Sequence, residues 1–166
     1  MSFNRSVKMF LRKPIIWFLR KLKYYFLQTY YVEGDGGNLI LGKNTGLANT
    51  LFNVESGNIN IGDNTIFGYN VMVLTGRHNY KNGKRLSVLL KEESGTETIG
   101  SGTEVPREGF DIVIENDCWV CSGAIIIGPV KIGKSSIICS GAVVNKDVPD
   151  NSVVAGIPGK IVSRND

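Results

Sequence analysis

Histidine and cysteine are scarce in this chain of 166 residues, which has one histidine, His78, and three cysteines. A structural zinc site takes four ligands, so three thiols cannot complete one, and we expect no bound metal. Cys118 and Cys121 have the spacing of a redox motif, but such motifs lie at the start of a helix. Cys139 follows Cys121 by eighteen residues, in register with a repeat described below. All three cysteines are therefore predicted to pack as small apolar side chains.

Acidic residues are missing from the first 32 positions, which hold seven lysines and arginines. The formal net charge of the whole chain is +4, so the remaining residues sum to about −3. A nucleic-acid surface needs basic residues on the folded domain itself, and this distribution excludes one. Charges interrupt every apolar run, so no secretory signal is convincing, and we expect a cytoplasmic protein with reduced cysteines.

Uncharged apolar runs of about 20 residues, which a transmembrane helix requires, do not occur. Residues 1–37 instead predict a basic amphipathic arm whose helix starts or kinks at Pro14. One helical face would carry Ile15, Phe18, Leu22, Tyr25 and Phe26, opposite Arg20, Lys21 and Lys23. Two interpretations stay open: residues 1–32 lie on the inner membrane surface, or the arm packs on the solenoid or a neighbouring subunit.

A six-residue period dominates the second half of the chain. An apolar residue recurs at every sixth position, in Ile114, Val120, Ile126, Ile132, Ile138 and Val144. A column of small or β-branched residues follows each of these by four positions, in Cys118, Ala124, Val130, Ser136, Ala142 and Val148. Neither an α-helix nor a hairpin sheet has this period. The period predicts an all-β solenoid with three short strands per coil and a narrow apolar prism inside.

Three hexads make one coil of eighteen residues, so residues that far apart should stack: Ile114 on Ile132 and Val120 on Ile138. Upstream, residues 39–45 recur as residues 59–65. That shift of twenty predicts a two-residue bulge near residues 55–58. Three glycines each follow an inward residue, at corners that leave no room for a Cβ atom: Gly42, Gly62 and Gly133.

The repeat stops between His78 and Asp111. Residues 79–111 are polar and aperiodic, which indicates a loop that leaves the solenoid. Loops longer than about 15 residues inside a compact fold are usually functional, although a tolerated surface insertion stays open. We therefore expect a solenoid over residues 38–162 with this excursion, followed by a short tail at 163–166.

Three motifs resemble the hexapeptide-repeat acyltransferases: the hexads over residues 114–149, the sequence DCWV at 117–120, and the sequence VVAGIPGK at 153–160. Within that superfamily the chain is most similar to the maltose, galactoside and surface-polysaccharide O-acetyltransferases. The resemblance covers residues 38–162 and implies a left-handed parallel β-helix. It also implies a homotrimer with active sites at the subunit interfaces. The implied reaction is direct transfer of an acetyl group from acetyl-CoA to a sugar hydroxyl in surface polysaccharide biosynthesis.

The resemblance further implies site residues. His78 matches the catalytic histidine, and a neutral imidazole can take the proton of an attacking alcohol at cytoplasmic pH. Ser122 matches the residue whose backbone N–H stabilises the oxyanion, although Cys121 stands where glycine is usual. Contacts to acetyl-CoA are implied at Trp119, Ser122, Ser140, Asn145, Lys146, Lys160 and Arg164, and contacts to the acceptor at Asn49 and Glu55. Simple corner packing of Trp119 and simple solvation of Lys160 and Arg164 stay open.

Other functions share parts of this pattern. An N-acetyltransferase of an amino sugar or nucleotide sugar would use the same base and differ in its acceptor. A serine acetyltransferase would carry a helical N-terminal domain and a second histidine, and a carbonic anhydrase of this fold would need three histidines for its zinc. A membrane-held solenoid scaffold would need neither His78 nor the excursion. Acetyl-CoA should raise the thermal stability of the enzyme but not of a scaffold.

Overall fold

The structure is a computed structural model that describes residues 14–22, 29–94 and 105–165. After a helix α1 (14–22), the elements in chain order are β1 (Tyr31–Glu33), β2 (Leu39–Leu41), β3 (Leu51–Asn53), β4 (Ile59–Ile61), β5 (Ile66–Phe67), β6 (Met72–Leu74), β7 (Tyr80–Lys81), β8 (Lys84–Arg85), α2 (Leu86–Ser94), β9 (Ile112–Ile114), β10 (Trp119–Val120), β11 (Ile125–Ile127), β12 (Val130–Ile132), β13 (Ile137–Ile138), β14 (Val143–Val144), β15 (Ser152–Ala155) and β16 (Lys160–Arg164).

Fourteen of these strands form three sheets. Sheet I has the order β1-β3-β6-β11-β14, sheet II the order β2-β4-β9-β12, and sheet III the order β5-β10-β13-β15-β16. Neighbouring strands run parallel, apart from the last pair, β15 and β16, which is antiparallel. Each coil passes through sheets I, II and III in turn, so the sheets are the three faces of a prism. The predicted left-handed parallel β-helix is confirmed.

Both predicted columns of the hexad repeat point into the prism. Ile114 pairs with Ile132 and Val120 with Ile138, as the eighteen-residue spacing predicted. None of the twelve side chains of the two columns is more than 6% exposed. Full burial of an Ile or Val side chain contributes about 1.5–3 kcal/mol, so these columns contribute a large part of the core's stability.

The coil that leads from β2 to β4 is longer than eighteen residues, at the predicted place. Leu39 pairs with Ile59, a shift of twenty. Five residues, 54–58, separate β3 from β4, whereas two residues separate β11 from β12. The last coil is shorter instead, because Ile138 pairs with Val154, sixteen residues later. The hexads did not predict that shortening, since the repeat ends at Val148.

The corner between sheets II and III shows why glycine follows an inward residue. A Cβ atom on Gly62 would lie 2.4 Å from the side-chain oxygen of Asn116, and one on Gly133 would lie 2.4 Å from the backbone nitrogen of Asp150. At these two positions the next coil approaches too closely for any larger residue. The predicted reason for the corner glycines is thereby confirmed.

The excursion contains regular structure that the sequence did not predict. The strands β7 and β8 form an antiparallel hairpin, and α2 follows directly. None of these three elements belongs to sheets I to III. The chain returns where the backbone N–H of Phe110 donates to the carbonyl of Ser56 and that of Ile112 donates to the carbonyl of Asn58. The polar composition therefore reflects an exposed hairpin and a partly exposed helix rather than a plain loop.

The solenoid begins earlier than residue 38, because β1 already pairs with β3 through residues 31–33. All the side chains of α1 are exposed, including Trp17 at 63% and Phe18 at 59%. Tyr25 and Phe26 of the predicted helical face lie outside the described residues. No helix in the described ranges has both the length and the apolar character to cross a bilayer.

Candidate active site

The single histidine lies in a cleft at the corner between sheets I and II. Its side chain is exposed, and the cleft of about 350 Å³ is lined by Glu33, Asn53, Glu55, Gly76, Arg77, His78 and Val105. The cleft therefore collects residues from β1, from the turn after β3, from the start of the excursion and from its returning end. Of the predicted acceptor residues, Glu55 lies in this cleft together with His78.

The backbone just before His78 is fixed by hydrogen bonds to the coil below. The buried Thr75 donates its hydroxyl to the carbonyl of Asn53 at 2.9 Å and accepts from the backbone N–H of Ser56 at 3.1 Å. The Ser56 hydroxyl accepts from the backbone N–H of Arg77 at 3.2 Å. These bonds fix the path of the chain where it leaves β6, so the position of His78 does not depend on the excursion alone.

Asn53 is a cleft residue that sequence reasoning missed. Its side-chain oxygen accepts from the backbone N–H of Gly76 at 2.9 Å and from that of Glu55 at 3.2 Å. A Cβ atom on Gly76 would lie 2.6 Å from that oxygen, so glycine is needed there. Asn53 thus joins the turn that carries Glu55 to the segment that carries His78. An asparagine at the end of a strand just before the predicted bulge was the available signal.

Charged residues line the same cleft as His78 or lie at its edge. Glu33 and Glu55 supply two carboxylates, and Arg107 lies 3.2 Å from Glu55 and also bonds Asp35. The guanidinium of Arg77 stands over the ring of Phe110, with 5.5 Å between its carbon and the ring centroid. Carboxylates and amides accept hydrogen bonds from hydroxyl groups, so the cleft suits a polyhydroxyl ligand. Glu33 was not predicted, because its strand was assigned to the arm.

The remaining predicted site residues lie at other places on the prism. Asn145 and Lys146 follow β14, at the same corner as His78 but farther along the solenoid. Ser122, Ser140 and Asn49 lie at the corner between sheets III and I, where Asn49 exchanges hydrogen bonds with Asn70. Trp119 projects from the outer face of β10 with 48% of its surface exposed, and Lys160 and Arg164 lie on β16. A single chain therefore does not bring His78 and Ser122 together.

The cysteine before Ser122 fits the corner without strain. The left-handed backbone there occurs at Gly123, with φ of +72°, and not at Cys121. The Ser122 hydroxyl accepts from the backbone N–H of Tyr69 at 3.0 Å, while Gly123 donates to the Tyr69 carbonyl. Cys121 is thus accommodated because the corner requires glycine two residues later. The oxyanion role of Ser122 stays a prediction.

All three cysteines are free thiols, and Cys118 is buried in the core. The Cys118 sulfur donates to the carbonyl of Gly133 at 3.2 Å, and desolvation by burial raises its pKa to about 11. Burial, and then the neighbouring Cys139, also raises the pKa of the half-buried Cys121. The predicted packing role is confirmed for Cys118. Among the described residues, no group of three or more His, Cys, Asp or Glu side chains could hold a metal ion.

Cys118 should resist alkylation in the native protein. At pH 8 a thiol with a pKa of about 11 is almost wholly protonated, and the thiolate is the nucleophile. We expect iodoacetamide to modify Cys139 and Cys121 before Cys118, as read by peptide mass spectrometry, and urea to make all three react equally. Because the folded pKa is raised, this thiol favours folding below about pH 9 and loses that contribution as pH rises toward 11. Rapid native labelling of Cys118 would contradict its buried environment.

Comparison with known proteins supports the repeat. The model of the bacterial transferase hexapeptide family (six repeats) matches residues 111–146. A Saccharomyces cerevisiae protein, named provisionally as an acetyltransferase, is 34% identical over 113 residues, which are 64% of this chain and 56% of that protein. A 2,3,4,5-tetrahydropyridine-2,6-dicarboxylate N-acetyltransferase of Staphylococcus aureus is 34% identical over 70 residues, 42% of this chain and 29% of that protein. The chain thus spans just over half of the first relative and under a third of the second.

Solved structures share the fold. A hexapeptide-repeat-containing acetyltransferase of Vibrio cholerae superposes with a TM-score of 0.60 at 20% identity, over 100% of this chain and 84% of that one. A maltose O-acetyltransferase of Clostridium difficile 630 gives 0.57 at 23% identity, over 84% and 68% of the two chains. A polysialic acid O-acetyltransferase gives 0.57 at 22% identity, over 82% and 61%.

Residues 111–146 thus carry the hexapeptide repeat of that family model, and the three parallel sheets continue the same coil on both sides of the matched segment. The fold of the chain is the left-handed β-helix of the hexapeptide-repeat acetyltransferases, and the neighbours include sugar O-acetyltransferases, as the motifs had indicated.

Proposed function

We propose that this protein is an O-acetyltransferase that moves the acetyl group of acetyl-CoA directly onto a sugar hydroxyl, with His78 as the general base. The observation that carries the proposal is the cleft of about 350 Å³ in which the single histidine stands among carboxylate and amide side chains. A thioester is already activated, so the protein has one demanding task. It must take the proton of the alcohol as its oxygen attacks the carbonyl.

The chemistry uses one group from the cleft and one from a neighbouring copy. A neutral imidazole nitrogen of His78 accepts the hydroxyl proton while the new C–O bond forms. The backbone N–H of Ser122 from a neighbouring copy donates to the oxyanion. When the C–S bond breaks, the imidazolium returns its proton to the departing thiolate. No covalent enzyme intermediate is needed, because the activated thioester can be attacked directly by the alcohol.

The division of these groups between two corners supports a homotrimer with sites between copies. His78 lies at the corner of sheets I and II, and Ser122 at the corner of sheets III and I. The outer faces of sheets I and III also carry apolar columns, whereas the outward positions of a solvated sheet would be polar. These columns are Leu51, Met72, Ile125 and Val143 on sheet I, and Ile66, Trp119, Ile137 and Val153 on sheet III. Burying these columns against a second copy would complete the site.

The acetyl-CoA contacts belong to the same proposal. Asn145 and Lys146 continue the corner that holds His78, so they lie on the edge of the solenoid along which an extended pantetheine would run. Ser140 and Trp119 line the other corner and the adjoining face. Lys160 and Arg164 on the exposed strand β16 supply cations at one end of the solenoid, where phosphate groups of CoA would bind.

N-acetylation of an amino sugar is the second candidate. The Staphylococcus aureus relative is by name an N-acetyltransferase, and the carboxylates of Glu33 and Glu55 would bind an ammonium group as well as a hydroxyl. A scaffold without activity is the alternative outside enzymes. Acetyl-CoA and a panel of acceptors separate all three functions.

The test combines binding with turnover. Acetyl-CoA at 100 times its Kd should stabilise the protein by about 2.7 kcal/mol, measured as a rise in unfolding temperature. Acetyl transfer is then measured by mass spectrometry with neutral oligosaccharides, amino sugars and nucleotide sugars. Transfer to hydroxyl groups supports the first candidate, and transfer to amino groups alone supports the second. A protein that gains no stability and transfers nothing would be the scaffold.

The helix α1 bears on where the acceptor is found. Its exposed Trp17 and Phe18 and the neighbouring Arg20 and Lys21 fit an anionic membrane surface, where a lipid-linked or nascent surface polysaccharide would be the acceptor. A cytoplasmic protein held at the inner face of the membrane is therefore part of the proposal.

Replacing both Trp17 and Phe18 by glutamate should weaken binding to vesicles that contain anionic lipid by about tenfold or more, because it removes apolar area and adds repulsion. Vesicle sedimentation measures the effect, with Val162→Glu as the control at an equally exposed apolar position of β16. Substitutions are preferable to deletion of residues 1–32, which would remove part of β1. Unchanged sedimentation of the double variant would leave packing on a neighbouring subunit as the role of the arm.

A further inference from the structure

Arg107 joins three parts of the chain at the edge of the His78 cleft. Its Nη1 donates to Oδ1 of Asp35, in the segment between β1 and β2, and lies 3.2 Å from Oε1 of Glu55, in the turn between β3 and β4. Arg107 itself belongs to the end of the excursion that returns to β9. One guanidinium therefore connects the first coil, the second coil and the excursion.

The segment that follows β1 packs directly against Glu55. A Cβ atom on Gly34 would lie 2.9 Å from Oε2 of Glu55, and one on Gly36 would lie 1.9 Å from its backbone oxygen and 3.3 Å from Cδ of Arg107. Gly34 also has φ of +101°, a conformation that other residues rarely adopt. The two glycines thus let the backbone run directly against Glu55, and Asp35 between them meets Arg107.

Glu55 is consequently held at both its backbone and its side chain. Asn53 accepts the backbone N–H of Glu55 at 3.2 Å, and the same amide oxygen holds Gly76, two residues before His78. Arg107 holds the carboxylate, whose side chain is 29% exposed and faces the cleft. A carboxylate has about four lone-pair sites, so the contact with Arg107 leaves acceptor capacity for a ligand.

We propose that Arg107 is a positioning residue that fixes the Glu55 carboxylate beside His78, where this carboxylate accepts hydrogen bonds from the acceptor sugar. This inference rests on the proposed function for the identity of the ligand. Arg107 does not reach the reacting atoms. It acts through Glu55, and it couples acceptor binding to the returning end of the excursion. Arg107 meets both carboxylates through the same nitrogen, Nη1, so a single charge serves the two contacts.

Arg107→Gln should raise the KM for the acceptor about tenfold, with kcat lowered by less than about threefold and the KM for acetyl-CoA unchanged. Arg107→Lys should recover part of that loss. In a Glu55→Gln background the Arg107→Gln change should add less than about twofold, because the two residues act as one unit. Lys131→Gln is the matched control: it breaks the ion pair with Glu115, of similar exposure and 2.8 Å in length, at the far end of the solenoid.

A second readout does not need activity. In hydrogen exchange of the unliganded protein, Arg107→Gln should increase exchange both in the turn 54–58 and at the returning end 105–110, while Lys131→Gln should change neither. Faster exchange at residues 105–110 alone, or a lower unfolding temperature with an unchanged acceptor KM, would indicate that Arg107 only anchors the returning end of the excursion. Either result would overturn the proposal. If the wild type transfers no acetyl group, the proposed function fails and the acceptor role fails with it. The exchange result then still decides whether Arg107 holds the Glu55 turn.

Discussion

Replacing His78 by alanine is expected to lower kcat for acetyl transfer by about 10²–10⁴-fold, the usual contribution of a general base. The expectation follows from the position of His78 in the cleft and from the absence of any other histidine in the chain. Acetyl-CoA binding should survive, because the side chain is exposed and the chain just before it is held by bonds of Thr75 and Ser56 that the substitution leaves in place. The KM for acetyl-CoA and the stabilisation by acetyl-CoA should therefore stay close to wild type.

Two controls make this result specific. Lys84→Gln breaks an exposed ion pair with Glu92 inside the excursion, outside the cleft lining, and should leave kcat unchanged. Added imidazole should restore part of the activity of His78→Ala in proportion to its concentration, because the alanine leaves an open space in an accessible cleft. A His78→Ala protein that keeps wild-type kcat would end the proposal. One that loses acetyl-CoA binding as well would indicate a structural role.

The fold could be predicted from the sequence because the hexad repeat reports each contact locally. In a β-helix, a residue stacks on the residue one coil later, so spacing along the chain is the same information as distance in space. The stacking of Ile114 on Ile132 follows from the eighteen-residue length of one coil alone. The prediction was incomplete where the length of a coil changed without a visible change in the hexad pattern. The last coil shortened to sixteen residues, and β1 was assigned to the arm because one strand is too short to show a period.

The site could be predicted only in part, for a different physical reason. His78 was identifiable because it is the only histidine and stands where the hexads stop. Its neighbours come from β1, β3 and the far end of the excursion: Glu33 and Asn53 are one coil apart in register, but they precede the hexads that show the period, and the excursion has no repeat. Glu33 and Asn53 were therefore missed, and Arg107 was not considered. Their convergence depends on a turn of five residues after β3 and on glycines that allow close approach, which only the folded chain reveals.

The shared site predicts a second large effect, in mixtures of two inactive variants. His78→Ala removes the base, and Ser122→Pro removes the backbone N–H proposed to bind the oxyanion. Each variant alone should retain less than about 1% of wild-type activity. Since His78 and Ser122 lie at different corners of one chain, co-expression of the two should regenerate complete sites between unlike copies. Random assembly at equal amounts gives about a quarter of the sites an intact base and an intact N–H, and so about a quarter of wild-type activity.

A second mixture distinguishes sites between copies from sites within one chain. Wild type co-expressed with the double variant His78→Ala/Ser122→Pro should keep about a quarter of the activity if sites are shared, but about half if each chain holds its own site. Ser122→Ala keeps the N–H and is expected to stay active alone, which separates the backbone donor from the hydroxyl that Tyr69 contacts. Circular dichroism and sedimentation confirm that each variant folds and assembles. A mixture of His78→Ala and Ser122→Pro that stays inactive, together with half activity in the second mixture, would place both residues in separate environments and remove the interface from the mechanism.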